Sequence, residues 1–156
     1  MNRAAEQPLA MAPLVLASRM GDGGLWYAVM AGLALLGDSE ARWCAARMAL
    51  AGLLCVTLYK WIKAVIARPR PYARCLDIRV CVRALDQFSF PSGHVLHAVA
   101  FSLILVHTYP ALGWVLWPFV ALLALSRVTL GLHYPSDVVA GASIGAALAA
   151  LIITVL

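Results

Sequence analysis

The sequence predicts an all-α membrane protein, a polytopic transmembrane helix bundle of five spans with a further short helix at its N-terminal end. Three observations lead there. The 156 residues are 63% apolar and only 12% charged, where soluble domains average about 45–50% apolar and about 25% charged. Mean hydropathy is +0.87, and apolar runs near the roughly 20 residues that cross a bilayer core recur along the chain. The charges are also gathered rather than spread. Seven of the twelve basic residues (Lys60, Lys63, Arg68, Arg70, Arg74, Arg79, Arg83) fall between 60 and 83, against Asp77 within that stretch and Asp86 just after it. At this length one membrane-embedded domain, residues 1–156, is expected.

The elements follow in order. Residues 8–17 are apolar but short and hold Pro8 and Pro13, which suits an interfacial helix or a stub leading into the first span. Residues 23–37 form a marginal span with Trp26 and Tyr27 as an interfacial anchor. Residues 44–62 make the second, with Arg47 and Lys60 near its ends, where long basic side chains snorkel. Residues 92–109, 113–131 and 136–156 make the remaining three. Gly37-Asp38-Ser39-Glu40 and Thr108-Tyr109-Pro110 read as tight turns, so neighbouring helices run antiparallel. Only the connection 64–91 is long. Alternation through five spans brings that loop, the helix start at Ser92 and the turn from Arg127 to Asp137 to one face of the membrane. In the last span, Gly141 and Gly145 form a small-xxx-small pattern expected to pack inside the bundle.

The chemistry-bearing residues gather on that face. Ser92 is a favoured N-cap residue at the start of a helix, whose free N–H groups and dipole attract anions. Gly93 lets a ligand approach the backbone, so the helix start suits a phosphate. Arg127 closes a hydrophobic span, where an unpaired guanidinium is costly and an anionic partner is expected. His133 and Asp137 flank the start of the last helix. A carboxylate there can bond one imidazole nitrogen and leave the other basic and nucleophilic. Lys63 and Arg70 offer a point charge and a planar fork that can hold a phosphoryl group from two sides.

Taken together, Lys63-x6-Arg70-Pro71, Pro91-Ser92-Gly93-His94 and Ser126-Arg127-x5-His133-x3-Asp137 resemble the three signature motifs of the type 2 phosphatidic acid phosphatase family. That family shares its site with vanadium-type haloperoxidases. The resemblance implies an integral-membrane phosphatase that hydrolyses a lipid phosphate or diphosphate without a metal or cofactor. Undecaprenyl diphosphate, phosphatidylglycerophosphate, phosphatidic acid and lipid A phosphate all fit. It implies His133 as the nucleophile that forms a phosphohistidine, Asp137 as its orienting group, and His94 as the proton donor to the leaving oxygen. Lys63, Arg70, Ser92, Gly93 and Arg127 would bind the phosphoryl oxygens. His97 lies outside the motifs and reads as a helix-face histidine.

Rival readings are weaker. A metal held by His94, His97, His133 and Asp137 would be repelled by Lys63, Arg70 and Arg127. A haloperoxidase is disfavoured because those relatives are soluble. A non-catalytic protein that binds or transports phosphorylated lipids would need the cations but not the His–Asp pair. Membrane lipids and a lipid phosphate are the expected partners, with no nucleic acid; the chain could act as a monomer or a dimer. The resemblance points to a bacterial inner membrane with the site facing the periplasm, although the basic loop by itself favours the cytoplasmic side. In an oxidising periplasm Cys75 and Cys81 could close a small disulfide.

Overall fold

The computed structural model of the chain describes residues 8–74 and 86–156. Among these, the regular structure is helical, with one isolated antiparallel bridge between Pro69 and Phe88. The helices are α1 (Pro8–Met20), α2 (Gly24–Leu36), α3 (Ser39–Ile66), the single turn α4 (Pro71–Arg74), α5 (Gly93–Thr108), α6 (Gly113–Thr129) and α7 (Pro135–Val155). A 3-10 turn, Pro110–Leu112, leads into α6. Cys75 and Cys81 lie outside the described residues, as do Asp77, Arg79 and Arg83.

Three helical stretches are long and apolar enough to cross a membrane: Ser39–Ile66, Pro110–Thr129 and Pro135–Val155. α2 and α5 are equally apolar but hold 13 and 16 residues, or about 20 and 24 Å at 1.5 Å per residue. Asp38 starts α3 by accepting a hydrogen bond from the Ala41 N–H at 2.9 Å. Trp43 and Trp61 lie exposed near the two ends of α3. Eighteen residues apart, they are separated by about 27 Å, close to the thickness of a bilayer core. Large apolar side chains cover the outer surface, among them Leu36, Trp114 and Val155. This is an integral membrane protein.

α5 occupies the centre. It packs against α7, α3 and α6, and Leu96, Ala98, Ala100 and Ile104 are wholly buried. Its contact with α7 is backbone to backbone. A Cβ added at Gly141 would stand 2.6 Å from the Ser92 carbonyl oxygen, and one at Gly145 would collide with that of Leu96. The expected inward packing of the small-residue face therefore holds.

α1 differs from a loose interfacial stub. It packs along α6, and its Met11 forms a second small core with Leu130 and Leu132, the residues just before His133. Apolar burial thus pins α1 to the loop that carries a candidate site residue.

Candidate active site

The site forms where helix ends meet at one end of the bundle. α3 stops at Ala67, which adopts a left-handed conformation (φ 47°) and donates its N–H to the Lys63 carbonyl at 2.9 Å. The chain then folds back, so Arg68 and Arg70 reach the start of α7. Lys63 and Arg70 are both buried. They share one counterion that the sequence did not mark, Asp86. Lys63 Nζ donates to both Asp86 carboxylate oxygens, at 2.8 and 2.9 Å, and to the Phe88 carbonyl at 2.8 Å. Arg70 Nη2 donates to Asp86 Oδ1 at 2.7 Å, its Nε to the Asp86 carbonyl and its Nη1 to the Leu132 carbonyl. Partial burial pushes the Asp86 carboxyl up, but the bonds and charges of Lys63 and Arg70 outweigh this and hold it below the usual carboxylate range.

His133 sits on the loop between α6 and α7, held by its own N–H on the Arg127 carbonyl at 3.0 Å. Its Nδ1–H donates to the Ser89 carbonyl at 2.6 Å, while Asp137 Oδ2 is 3.7 Å away. The tautomer is held by a main-chain oxygen, with the carboxylate of Asp137, the orienting group that the resemblance implies, standing behind it. Asp137 has further partners. The fully buried carboxylate already accepts from Arg68 Nη1 at 2.7 Å and from the Tyr134 N–H at 2.8 Å. Arg68 also stacks 4.1 Å from the centre of the Tyr134 ring. His133 Nε2 keeps its lone pair and faces Arg70 Nη1 at 3.4 Å. Burial drives the His133 pKa down, Asp137 opposes it, and the charges of Arg127, Arg70 and Lys63 add to the fall, to about 4. The ring is neutral at physiological pH.

Ser92 occupies the N-cap position of α5, but its side chain makes no capping bond. Its N–H instead donates to the Asp137 carbonyl at 3.0 Å, tying the starts of α5 and α7 together. Among the described residues its hydroxyl is buried with no partner, as is Arg127 Nε. Buried donors of this kind are the groups an oxyanion accepts from. Arg127 Nη1 reaches Ser18 of α1 at 2.6 Å. His94 Nε2 meets Asp22 Oδ1 at 2.7 Å, and His97 Nδ1–H donates to the Gly93 carbonyl at 2.7 Å. Among the described residues, no three His, Cys, Asp or Glu side chains gather as a metal site would require.

A cavity of about 550 Å³ opens onto these groups. Its polar end is lined by Asp22, Lys63, Arg70, Asp86, Gly93, His94 and His133, and its other end by Trp26, Met30, Ala49, Leu53 and Phe101. From Lys63 to Ala49 it follows α3 for fourteen residues, about 21 Å. Of the eight residues singled out in the sequence, five line this space. Ser92, Arg127 and Asp137 are buried beside the residues that line it. Sequence reasoning missed Ser18, Asp22, Asp86, the Ser89 carbonyl and the role of Arg68. Asp22 had one available signal: Gly21-Asp22-Gly23 precedes the first span, which alternation places on the same face as Ser92.

A helical membrane bundle with three cations, two histidines and unpaired buried donors at one polar end belongs to the class of membrane proteins that handle phosphorylated compounds. The chain is a member of the PAP2 superfamily, which matches residues 41–156. It is 42% identical over 82 residues to decaprenylphosphoryl-5-phosphoribose phosphatase of Mycolicibacterium smegmatis, a match covering 51% of this chain and 42% of that protein. It is 31% identical over 104 residues to undecaprenyl-diphosphatase BcrC of Bacillus subtilis, covering 67% of this chain and 53% of the other. The chain thus spans about half the length of these relatives. The crystal structure of a transmembrane PAP2-type phosphatidylglycerolphosphate phosphatase from Bacillus subtilis superposes with a TM-score of 0.76 at 26% identity. That superposition covers 95% of this chain and 77% of that one.

Proposed function

We propose that this protein is a membrane phosphatase that cleaves the phosphate ester or anhydride of a polyprenyl lipid through a phosphohistidine on His133. One observation carries the reading: His133 is a neutral imidazole whose Nδ1–H is given to Ser89, leaving a basic Nε2 3.4 Å from Arg70 inside a cation-lined cavity. A nucleophile among cations is what attack on a phosphoryl group demands. Nε2 attacks phosphorus, the bond from phosphorus to the lipid oxygen breaks, and His94 gives that oxygen its proton. Water then attacks the phosphohistidine and loses a proton to His94, and inorganic phosphate departs. Lys63, Arg70 and Arg127 balance the charge on the phosphoryl oxygens, with Ser92 and the Gly93 N–H completing the cradle.

The lipid class rests on the cavity and on the relatives. The cavity follows α3 for about 21 Å from its polar end at Lys63 to Ala49, and its apolar part beside Trp26, Met30, Leu53 and Phe101 can take the start of an extended lipid chain. Two of the similar proteins carry a polyprenyl substrate in their names. α2 and α5 complete five crossings, and the site faces the periplasm of a bacterial inner membrane. Labelling intact cells with an impermeant thiol reagent after reduction tests the orientation through Cys75 and Cys81. Labelling that needs permeabilised cells would reverse it. The activity is tested by phosphate release from undecaprenyl diphosphate, phosphatidylglycerophosphate and phosphatidic acid in detergent with EDTA. Release is expected from the prenyl substrate above the others. Binding of all three lipids without release would favour a lipid-binding or transport protein instead.

A further inference from the structure

We infer that Asp22, from the turn between α1 and α2, is the positioning residue of the proton-transfer histidine, His94. This rests on the reading of His94 given above and adds a residue that lies before the matched region 41–156 and outside all three motifs. The two side chains meet at 2.7 Å through Asp22 Oδ1 and His94 Nε2. A carboxylate in that position accepts from Nε2–H, which leaves Nδ1 to exchange protons with the leaving oxygen and then with water. It also balances the positive charge of the ring each time it is doubly protonated.

The turn is shaped to deliver this contact. A Cβ on Gly21 would come within 2.8 Å of a Leu123 methyl and 3.3 Å of the His94 ring. Gly23 adopts φ 107°, open to glycine at little cost. Two glycines therefore let Asp22 lie against the imidazole. α1 is anchored from the other side by Ser18 on Arg127 at 2.6 Å and by Met11 on Leu130 and Leu132.

The need for a carboxylate is electrostatic. His94 shares its surroundings with Arg127 of α6, Lys63 of α3, and His97 on its own helix, and His133 lines the same cavity. Arg19 of α1 is the other cation acting on Asp22 besides Arg127. Asp22 is the group that counters these charges beside the ring. The hydrogen bond with His94 holds the Asp22 carboxyl below its ordinary range despite partial burial, so it stays anionic where the enzyme works.

A positioning role predicts dependence on the leaving group. An alkyl or prenyl oxygen needs a proton as it departs, whereas p-nitrophenolate does not. With the purified full chain in detergent, Asp22→Asn should lower kcat/KM for a prenyl phosphate by about 10- to 100-fold. The alkaline limb of its pH profile should move to lower pH, because the protonated ring has lost its counterion. On p-nitrophenyl phosphate the same variant should keep kcat/KM, which reports only the steps up to formation of the phosphohistidine, within about 2-fold of wild type, and Asp22→Glu should recover most prenyl activity. Equal losses on both substrates, or wild-type behaviour on both, would overturn the inference. A melting curve and vanadate binding report folding. If Asp22→Asn does not fold, Asp22→Ser is read by the same leaving-group ratio. His133→Ala and His94→Ala separate the two levels. If both are inactive while Asp22→Asn is unaffected, only this inference fails; an active His133→Ala would remove the reading beneath it.

Discussion

Gly141→Ala offers a demanding test of how the fold sets the chemistry, because it adds a single methyl group at a position that does not itself line the cavity. The new Cβ would lie 2.6 Å from the Ser92 carbonyl oxygen, and ordinary contact begins at about 3.4 Å, so α5 and α7 must part by roughly 0.8 Å. Neither side of the contact is a flexible side chain that could swing away. The shift falls on the 3.0 Å bond from the Ser92 N–H to the Asp137 carbonyl, and so on the relative placement of His94 and His133. Overpacking of this kind costs about 1–3 kcal/mol, which for a chain of this size lowers the melting temperature by about 2–12 °C. A displacement near 1 Å can also cost about 100-fold in rate. Phosphate release and thermal melting in detergent measure both, with Ala150→Leu on the exposed side of α7 as a control expected to change neither. Wild-type activity and melting in Gly141→Ala would refute the claim that backbone contact between α5 and α7 sets the site.

Other outcomes follow from the same geometry. His133→Ala should abolish turnover while the protein remains folded, since the ring's Nε2 is used only in chemistry; rapid quench in alkaline denaturant should trap a phosphoprotein in wild type and none in the variant. Because the His133 pKa falls to about 4 in the fold from an ordinary value of 6.5, the unfolded chain binds the extra proton between those limits. Stability should therefore decline as pH drops from about 6.5 toward 4, and a flat melting temperature across that window would contradict the burial of the ring. Asp86→Asn removes the carboxylate that competes for Lys63 and Arg70, so vanadate should inhibit at about 10-fold lower concentration. Weaker inhibition would show that Asp86 organises the clamp instead. Arg68→Ala leaves Asp137 short of its 2.7 Å partner and should cut kcat with little change in KM, whereas a change in KM alone would place Arg68 at the substrate.

What the sequence disclosed and what it withheld divide along a physical line. Spans were legible because bilayer thickness imposes a run of apolar residues, and α3, α6 and α7 fall where those runs lie. Lys63, Arg70, His94 and His133 were legible because helix starts and ends place short motifs on one face, and the cavity gathers all four. Asp137 was legible as a neighbour of His133, but its second partner was not. Arg68 reaches it from 69 positions away, a separation no local spacing encodes. Ser89 acts through a main-chain oxygen, which every residue possesses and no side-chain pattern can flag. Ser18 and Asp22 come from α1 and its turn, whose docking depends on Met11 meeting Leu130 and Leu132. That is a tertiary event among residues that look interchangeable in one dimension.

The cavity's two unlike ends have a consequence for how a reaction there would finish. Its ionic end lies among helix termini, while its other end runs beside α3 toward Ala49 in the hydrocarbon layer. Cleavage divides the ligand at the boundary between these environments. Phosphate would partition into water, while the lipid product, an alcohol from a monoester or a monophosphate from a diphosphate, would stay with its chain in the bilayer. The fragments part into different phases and do not meet again at the concentration needed to recombine. Turnover of such a ligand would thus be drawn forward by the solvents on either side of the protein, with the bilayer as the sink for one product.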